Sequence, residues 1–171
     1  MSLLARLFSA RPDPADALIP LWRRTVQIAR EPGWYAKGSV ADTLAGRFDV
    51  LTLVLAAVLL RMEREPALVE PSVRLTERFV ADMDGTLREQ GIGDPALGKR
   101  MGQLVSALGG RLGALREAFA ADEAALVEAV ARNVTFADAG NPDRVAAELR
   151  QLAGQLAALP AEALLAGEIE R

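Results

Sequence analysis

Hydrophobic residues recur at helical spacing along most of this 171-residue chain. The clearest stripe lies within residues 42–63 and consists of Leu44, Phe48, Leu51, Leu55, Val58 and Met62. Spacings that alternate between four and three residues place such side chains on one side of a helix, so we expect one continuous buried stripe. No segment of convincing length alternates with the two-residue period of a strand, and the sequence therefore predicts an all-α fold.

The same periodicity predicts a single-domain bundle of about six to seven helices over residues 1–171. The main predicted helices cover about residues 15–31, 42–63, 72–90, a stretch that starts at 94, 123–133 and 141–159, with a loop at 32–41. Gly91 stands where a glycine ends a helix, and Asp94 and Asn141 each combine an N-cap with a following proline. Pro160 ends the last predicted helix, about residues 142–159, which we expect to pack on the others.

Four glycines lie on one strip of the predicted helix that starts at residue 94. They are Gly98, Gly102, Gly109 and Gly113, and their strip differs from the apolar stripe of the same helix. Each glycine costs roughly 0.5–1 kcal/mol relative to alanine inside a helix. The strip therefore suggests that another backbone, or a partner, approaches closely there.

Composition excludes several classes of function. Hydrophobic residues make up 51% of the chain but aromatic residues only 5%, which is typical of a helical core of Leu, Val and Ala. The chain has no cysteine and no histidine, so it lacks thiolate sites, the commonest general base and the commonest metal ligand. We expect no cofactor and no metal. A net charge of −3 gives no global electrostatic case for nucleic acid.

Two apolar segments bear on membranes. Residues 50–60 would rise about 16 Å as a helix, against about 30 Å of bilayer hydrocarbon, and therefore predict a buried core helix rather than a span. Residues 1–12 combine leucines with Arg6 and Arg11 but are too short for a signal peptide. We expect an ordinary tail there, with a weak interfacial anchor that touches the membrane as the alternative.

Residues 82–87 read DMDGTL and resemble the nucleophile motif of haloacid-dehalogenase-type phosphatases. In those enzymes a buried strand delivers two aspartates to one Mg²⁺ ion. On the helix predicted here, residues two apart point about 200° apart, so Asp82 and Asp84 diverge. No Asp-Asp pair follows downstream. We therefore do not expect phosphatase chemistry.

Residues 93–99 spell GxxxxGK, a Walker A loop without its final Ser or Thr. The segment follows a predicted helix rather than a strand, and Pro95 removes a backbone N–H that would bind phosphate. The same letters fit a helix end and a new helix start, with Asp84 and Arg88 as an i,i+4 pair. We therefore do not expect nucleotide binding.

Short motifs follow one another between about residues 25 and 135. They are REPGWY at 30–35, VADTLAGRFD at 40–49, ADMD at 81–84, LREQGIGD at 87–94, GKRM at 98–101, GR at 110–111 and RNV at 132–134. In this order they resemble the ubiquinol–cytochrome c chaperone family, whose members are assembly factors for respiratory complex III. The family usually has a histidine where this chain has Val54, and tyrosines where it has Gly109 and Leu115. These departures weaken the expectation of the same client but not of the same fold.

The resemblance implies a non-catalytic helical protein that binds newly made cytochrome b or a small partner assembly factor. A composition rich in Ala, Leu, Arg and Gly suggests a bacterial, alphaproteobacterial member. Its expected location is the cytoplasm, with peripheral contact at the inner face of the inner membrane. A helical adaptor with a changed client is the alternative function.

We expect the binding surface where the start of the predicted helix at 42–63 meets the charged corner at residues 82–102. Arginine and lysine side chains there would donate to a client's loops or carboxylates, and glycines would allow close approach. The candidate client- or partner-binding residues are Asp42, Arg47, Asp49, Asp82, Arg88, Glu89, Asp94, Gly98, Lys99, Arg100, Gly102 and Arg111. For each of them, a solvated charge or an ion pair between helices is the alternative.

Overall fold

Six helices of eleven or more residues make up most of the computed structural model, which describes residues 16–89, 91, 93–137 and 140–171. They are α1 (Ile19–Ala29), α3 (Leu44–Met62), α4 (Val69–Glu89), α5 (Asp94–Ala120), α6 (Glu123–Asn133) and α7 (Pro142–Ala158). Two five-residue helices, α2 (Pro32–Ala36) and α8 (Ala161–Leu165), and two 3₁₀ turns, Asp16–Leu18 and Pro66–Leu68, complete the order. The all-α prediction is confirmed. The expectation for residues 1–12 lies outside the described residues.

The structure corrects the predicted elements in three places: it adds two short helices and moves the start of one long helix. The predicted loop at 32–41 contains α2, which begins at Pro32. Helix α4 begins at Val69 rather than at residue 72, because a proline such as Pro71 is tolerated in the first turn, where backbone N–H groups have no helical partner. Helix α8 was not predicted, because five residues are too few to show a helical period.

The helix ends follow local capping chemistry. The Thr43 hydroxyl accepts a hydrogen bond from the Gly46 N–H at 3.2 Å, and the Asn141 side chain accepts one from the Arg144 N–H at 3.1 Å. Gly91 has the positive φ of 79° that favours glycine, as predicted for the end of α4. At α5 the N-cap is Gly93 and not Asp94, so the predicted cap position was wrong by one residue.

Helix α3 lies at the centre of the bundle and contacts α1, α5 and α7. Its side chains are buried almost all around from Val50 to Leu60, as expected for a core helix. The predicted buried stripe is wrong at Leu44, which is 68% exposed because the first turn of α3 extends beyond the core. In the described part of the chain, no helix has the length and hydrophobicity to cross a bilayer.

Helices α4 and α5 form a hairpin around Gly91. Leu87 and Leu97 are buried near its tip but do not belong to the main core cluster. Farther along α5, Leu108 and Leu115 do join that cluster. The charged corner predicted from the sequence is therefore the tip of a hairpin that has two buried leucines of its own, outside the main core cluster.

The last residues of the chain pack back on its first helices. The Ile169 side chain is 3% exposed, and its carbonyl accepts a hydrogen bond from Arg24 Nε at 2.8 Å. The Arg171 guanidinium stacks on the Trp34 ring, 5.0 Å from the ring centroid, and pairs with Glu31 at 3.2 Å. Residues near the two ends of the described chain thus share one contact region.

Candidate functional site

An open groove of about 490 Å³ lies between α1, the start of α3 and the C-terminal half of α4. We call it the Tyr35 groove, and it is lined by Val26, Ala29, Arg30, Tyr35, Leu44, Arg47, Phe48, Leu51, Asp82, Met83 and Thr86. Most of the apolar lining residues are half-buried against the core, whereas Leu44 is largely exposed. The groove therefore presents apolar surface that this chain leaves partly uncovered.

The short helix α2 positions Tyr35 at the end of α1. The Trp34 indole is 2% exposed and donates a hydrogen bond from Nε1 to the Ile28 carbonyl at 2.7 Å. The Tyr35 hydroxyl donates to the next carbonyl, that of Ala29, at 2.8 Å. Carbonyls at a helix C-terminus have no partner within the helix. The Tyr35 hydroxyl satisfies the Ala29 carbonyl, and the Trp34 indole is a second donor to the Ile28 carbonyl, which also accepts from the Glu31 N–H at 3.1 Å.

Charged groups surround the Tyr35 phenol. Burial raises the pKa of Tyr35, and the guanidinium groups of Arg47 and Arg30 oppose part of that rise. Arg47 Nε donates to the Asp42 carboxylate at 2.6 Å, and this hydrogen bond lowers the pKa of Asp42. Both members of that pair are more than 60% exposed, so another anion can replace Asp42 at little cost.

The structure divides the predicted site residues into three groups. Arg47 and Asp82 line the Tyr35 groove, and Asp42 lines a second hollow beside it. The residues exposed on the α4–α5 hairpin, outside the groove lining, are Arg88, Glu89, Gly98, Lys99, Arg100 and Gly102. Asp94 begins α5, but its side chain lies outside the described part of the structure.

The third group, Asp49 and Arg111, is buried. Their side chains are 9% and 11% exposed and form an ion pair with each other. Arg111 Nη1 also donates to the Thr52 hydroxyl at 2.9 Å, and Nη2 donates to the Asn133 carbonyl at 2.9 Å. Buried charges need such partners inside the protein, so we assign Asp49 and Arg111 a structural role and do not include them in the proposed client surface.

This buried network holds a loop beside the groove. The second oxygen of the Asp49 carboxylate accepts a hydrogen bond from the Thr135 N–H at 2.8 Å. The Thr135 carbonyl accepts from the Ala41 N–H at 2.9 Å, and Val40 forms an antiparallel bridge with Phe136. The segment before α3, which carries Asp42, is thus tied to the segment after α6.

Arg111 remains a charged donor in this network. Burial lowers the pKa of its guanidinium, and the Asp49 carboxylate opposes that change. An arginine pKa starts so far above neutrality that a lowered value still leaves the group protonated in the cell. The pair therefore acts as a fixed structural contact between α3, α5 and the end of α6.

Sequence reasoning missed the apolar part of the groove. Tyr35, Leu44 and Phe48 all lie within the motifs that carry the family resemblance and line the groove, whereas the predicted site contains only charged residues and glycines. The sequence feature that could have identified these residues was the clustering of their motifs around the start of one helix. What the sequence could not show is which of their side chains face solvent.

The two motifs that resemble phosphate-binding sites are parts of helices. Asp82 and Asp84 lie within α4, where Asp84 accepts a hydrogen bond from Arg88 at 2.8 Å. The Walker-like segment begins α5 and does not follow a strand. Over residues 16–89, 91, 93–137 and 140–171, no three acidic, histidine or cysteine side chains gather where they could hold a metal ion.

The sequence model of the family described as ubiquinol-cytochrome C chaperone matches residues 36–171. The chain belongs to this family. The crystal structure of the Cbp3 homolog from Brucella abortus is similar, with a TM-score of 0.79 and 33% sequence identity. The similarity covers 98% of this chain and 96% of the Brucella chain. No curated protein matches.

The family match differs in extent from the resemblance seen in the motifs. It reaches residue 171 rather than about 135, so it includes α7 and α8, and it begins after the REPGWY motif. Two of the three departures from the family pattern, Val54 and Leu115, are buried in the core at 0% and 1% exposure, whereas Gly109 is exposed. The two buried departures therefore affect packing and do not alter the lining of the Tyr35 groove.

Proposed function

We propose that this chain is a non-catalytic assembly chaperone for respiratory complex III, and that it binds newly made cytochrome b, or a small partner assembly factor, in the Tyr35 groove. Family membership supports the chaperone role. We choose this groove as the binding site because of the sequence motifs that its lining residues belong to. Residues from three separate motifs, at 30–35, 40–49 and 81–84, meet in this one groove.

The chemistry of the groove suits an apolar client segment. A membrane protein exposes hydrophobic helices until it is inserted, and these helices need a surface that covers them in the meantime. The exposed Leu44 and the half-buried Phe48 and Met83 supply such a surface. Charged groups around it would give orientation more than affinity.

We place this activity in the cytoplasm, at the inner face of the inner membrane, where cytochrome b is inserted. Family membership supports this location, because the proposed client, cytochrome b, is inserted at that membrane. The bacterial source proposed for the chain accords with the similarity to the Brucella protein.

The Leu44→Asp variant tests the groove. Leu44 is 68% exposed, so the variant is expected to fold, yet it places a charge on the apolar surface of the groove. Val73→Asp is the matched control, because Val73 is 54% exposed and does not line the groove. We expect Leu44→Asp to lose co-purification of cytochrome b and to lower the level of complex III, and Val73→Asp to retain both. Normal complex III with folded Leu44→Asp would refute the assignment.

The tip of the α4–α5 hairpin is a second proposed contact. It carries half of the predicted charged candidates, and Lys99 and Arg100 are exposed there. Combined charge reversal at Arg88, Lys99 and Arg100 should weaken client pull-down without unfolding the protein. Unchanged pull-down and unchanged complex III would limit the client surface to the Tyr35 groove.

Deletion of the gene separates the chaperone from the alternative function. Loss of cytochrome b and complex III is expected for an assembly chaperone. Normal complex III in the deletion strain would instead favour a helical adaptor with a different client.

A further inference from the structure

Two hollows share the wall that contains Tyr35. The Tyr35 groove lies on one side, and a hollow of about 360 Å³, lined by Arg30, Pro32, Tyr35, Ala36, Asp42 and Arg47, lies on the other. Arg30, Tyr35 and Arg47 line both hollows. These three side chains therefore form a polar ridge beside the apolar floor of the groove, and we call them the Arg30–Tyr35–Arg47 ridge.

The ridge has cationic donors with unused capacity. Within the described ranges of the chain, no carboxylate pairs with Arg30, and Arg47 pairs with the exposed Asp42. Both guanidinium groups are close enough to Tyr35 to influence the ionisation of its phenol. A guanidinium group binds a carboxylate with two parallel hydrogen bonds, and partial burial of the contact strengthens it.

The lining of the groove also includes an acidic residue, Asp82, which does not line the second hollow. An acidic group on a bound segment would be attracted to the ridge and repelled by Asp82. These charges favour a bound carboxylate beside Arg30 and Arg47.

We propose, on the basis of the function proposed above, that the Tyr35 groove selects an amphipathic partner helix that carries a carboxylate on its apolar face, and that Arg30 and Arg47 bind this carboxylate at the ridge. The apolar side chains of the helix contact Phe48, Leu51 and Met83. The carboxylate fixes the position and direction of the helix in the groove. A purely apolar helix binds the same surface with lower affinity and without a fixed direction.

Two synthetic amphipathic helices that differ only in Glu or Gln at one position of the apolar face provide the test. Their affinities for the full chain are compared by fluorescence anisotropy. We expect the Glu peptide to bind about three- to tenfold more tightly than the Gln peptide. Arg30→Gln should remove this preference, whereas Arg23→Gln, an exposed arginine on α1 outside the groove lining, should retain it.

The lone tyrosine gives an independent readout. Tyr35 is the only tyrosine in the chain, so the ultraviolet difference spectrum of phenol ionisation reports on the ridge alone. A bound carboxylate disfavours the phenolate. The Glu peptide should therefore shift the Tyr35 titration to higher pH than the Gln peptide does, a difference that changed packing alone would not produce.

The outcomes separate this inference from the proposed function. Equal affinities for the Glu and Gln peptides would overturn the carboxylate site while retaining the groove as a client surface. Failure of both peptides to bind would overturn the groove and the carboxylate site together. Loss of the preference in Arg23→Gln as well as in Arg30→Gln would also overturn it, because general charge would then explain the effect.

Discussion

The Asp49 carboxylate accepts hydrogen bonds from two parts of the chain that are distant in sequence, the Arg111 guanidinium and the Thr135 N–H. Burial of such an ion pair costs desolvation energy that roughly offsets the attraction, so the pair adds little net stability. The pair instead fixes the relative positions of α3, α5 and the end of α6, because both charges are satisfied when these elements are in this arrangement. Loss of one partner, by contrast, leaves a buried charge without compensation.

Asp49→Asn is therefore expected to lower the free energy of unfolding by about 3–5 kcal/mol. Chemical denaturation measures the change. The matched control is Asp42→Asn, which removes an ion pair of similar chemistry at an exposed position and should cause no measurable change. If Asp49→Asn were as mild as its control, the buried network would not hold these elements together.

Tyr35 predicts a pH dependence at the alkaline end. Burial raises its folded-state pKa above the unfolded value of about 10, so its contribution to stability is fully present below that pH. As the pH rises through the folded-state pKa, this contribution is lost. The contribution of Tyr35 to the free energy of unfolding, measured by chemical denaturation, should be constant below about pH 10 and should decrease above it.

Tyr35→Phe provides the control for that titration. The variant removes the ionising phenol, so the part of the alkaline fall that belongs to Tyr35 should disappear together with the ultraviolet signal. A native protein whose tyrosine ionises at the pH of free tyrosine would contradict the burial of the hydroxyl.

The roles of individual residues were harder to predict from the sequence than the helices that contain them. The sequence shows that Asp49 and Arg111 are charged, but not that α3 and α5 bring them together inside the core. The exposure of Leu44 was hidden for the same reason, since its spacing matches the buried stripe of α3. Periodicity identifies the face of a helix, whereas tertiary packing decides how far along the helix that face is covered.

At the scale of elements, the glycines of the chain have opposite roles. A Cβ at Gly46 would lie 2.0 Å from the Ala41 carbonyl oxygen, so the start of α3 needs glycine for close approach. At Gly98, Gly102, Gly109 and Gly113 of α5, a Cβ would meet nothing within 4 Å in this structure. The predicted close approach of another backbone of the same chain is therefore wrong for α5, and the space remains open to a partner.

A pair of alanine substitutions separates these roles. Gly46→Ala should destabilise the protein by about 1–3 kcal/mol, because the new methyl group forces the Ala41 segment to move. Gly102→Ala should stabilise it by about 0.5–1 kcal/mol, because alanine favours the helix and nothing obstructs the methyl group. Thermal unfolding measures both changes.

Client binding by Gly102→Ala then tests the surface of α5. Weaker binding by this more stable variant would show that a partner approaches the glycine strip closely. Unchanged binding would remove Gly102 from the client surface.

Long helices were predictable because their ends carry local signals. Helix α6 begins and ends where its sequence predicts, and Asn141 with Pro142 begins α7 as expected. The short helix α2 and the bridge between Val40 and Phe136 depend on contacts made after the helices assemble. Such contacts leave no periodic pattern, and α2 is the element that contributes Tyr35 to the groove.

For the molecule as a whole, the C-terminal residues contribute to stability out of proportion to their number. Removal of residues 168–171 would delete the buried Ile169, the hydrogen bond from Arg24 and the Arg171 contact with Trp34. We expect the free energy of unfolding to fall by about 2–4 kcal/mol. Glu170→Ala, a change at an exposed residue of the same segment, should leave stability unchanged. Equal stability of the truncated and full chains would contradict this role.

The contact between Arg171 and the α1–α2 region also affects the order in which the protein folds during its synthesis. The N-terminal part of a chain leaves the ribosome first, so α1 and Trp34 emerge long before the residues that cover them. Contacts between positions so distant in sequence form late, after the intervening loop has been closed. During synthesis the Trp34 ring therefore lacks its Arg171 contact until residue 171 has been made. The α1–α2 region is thus among the first parts of the described fold to be synthesised and among the last to reach its final packing.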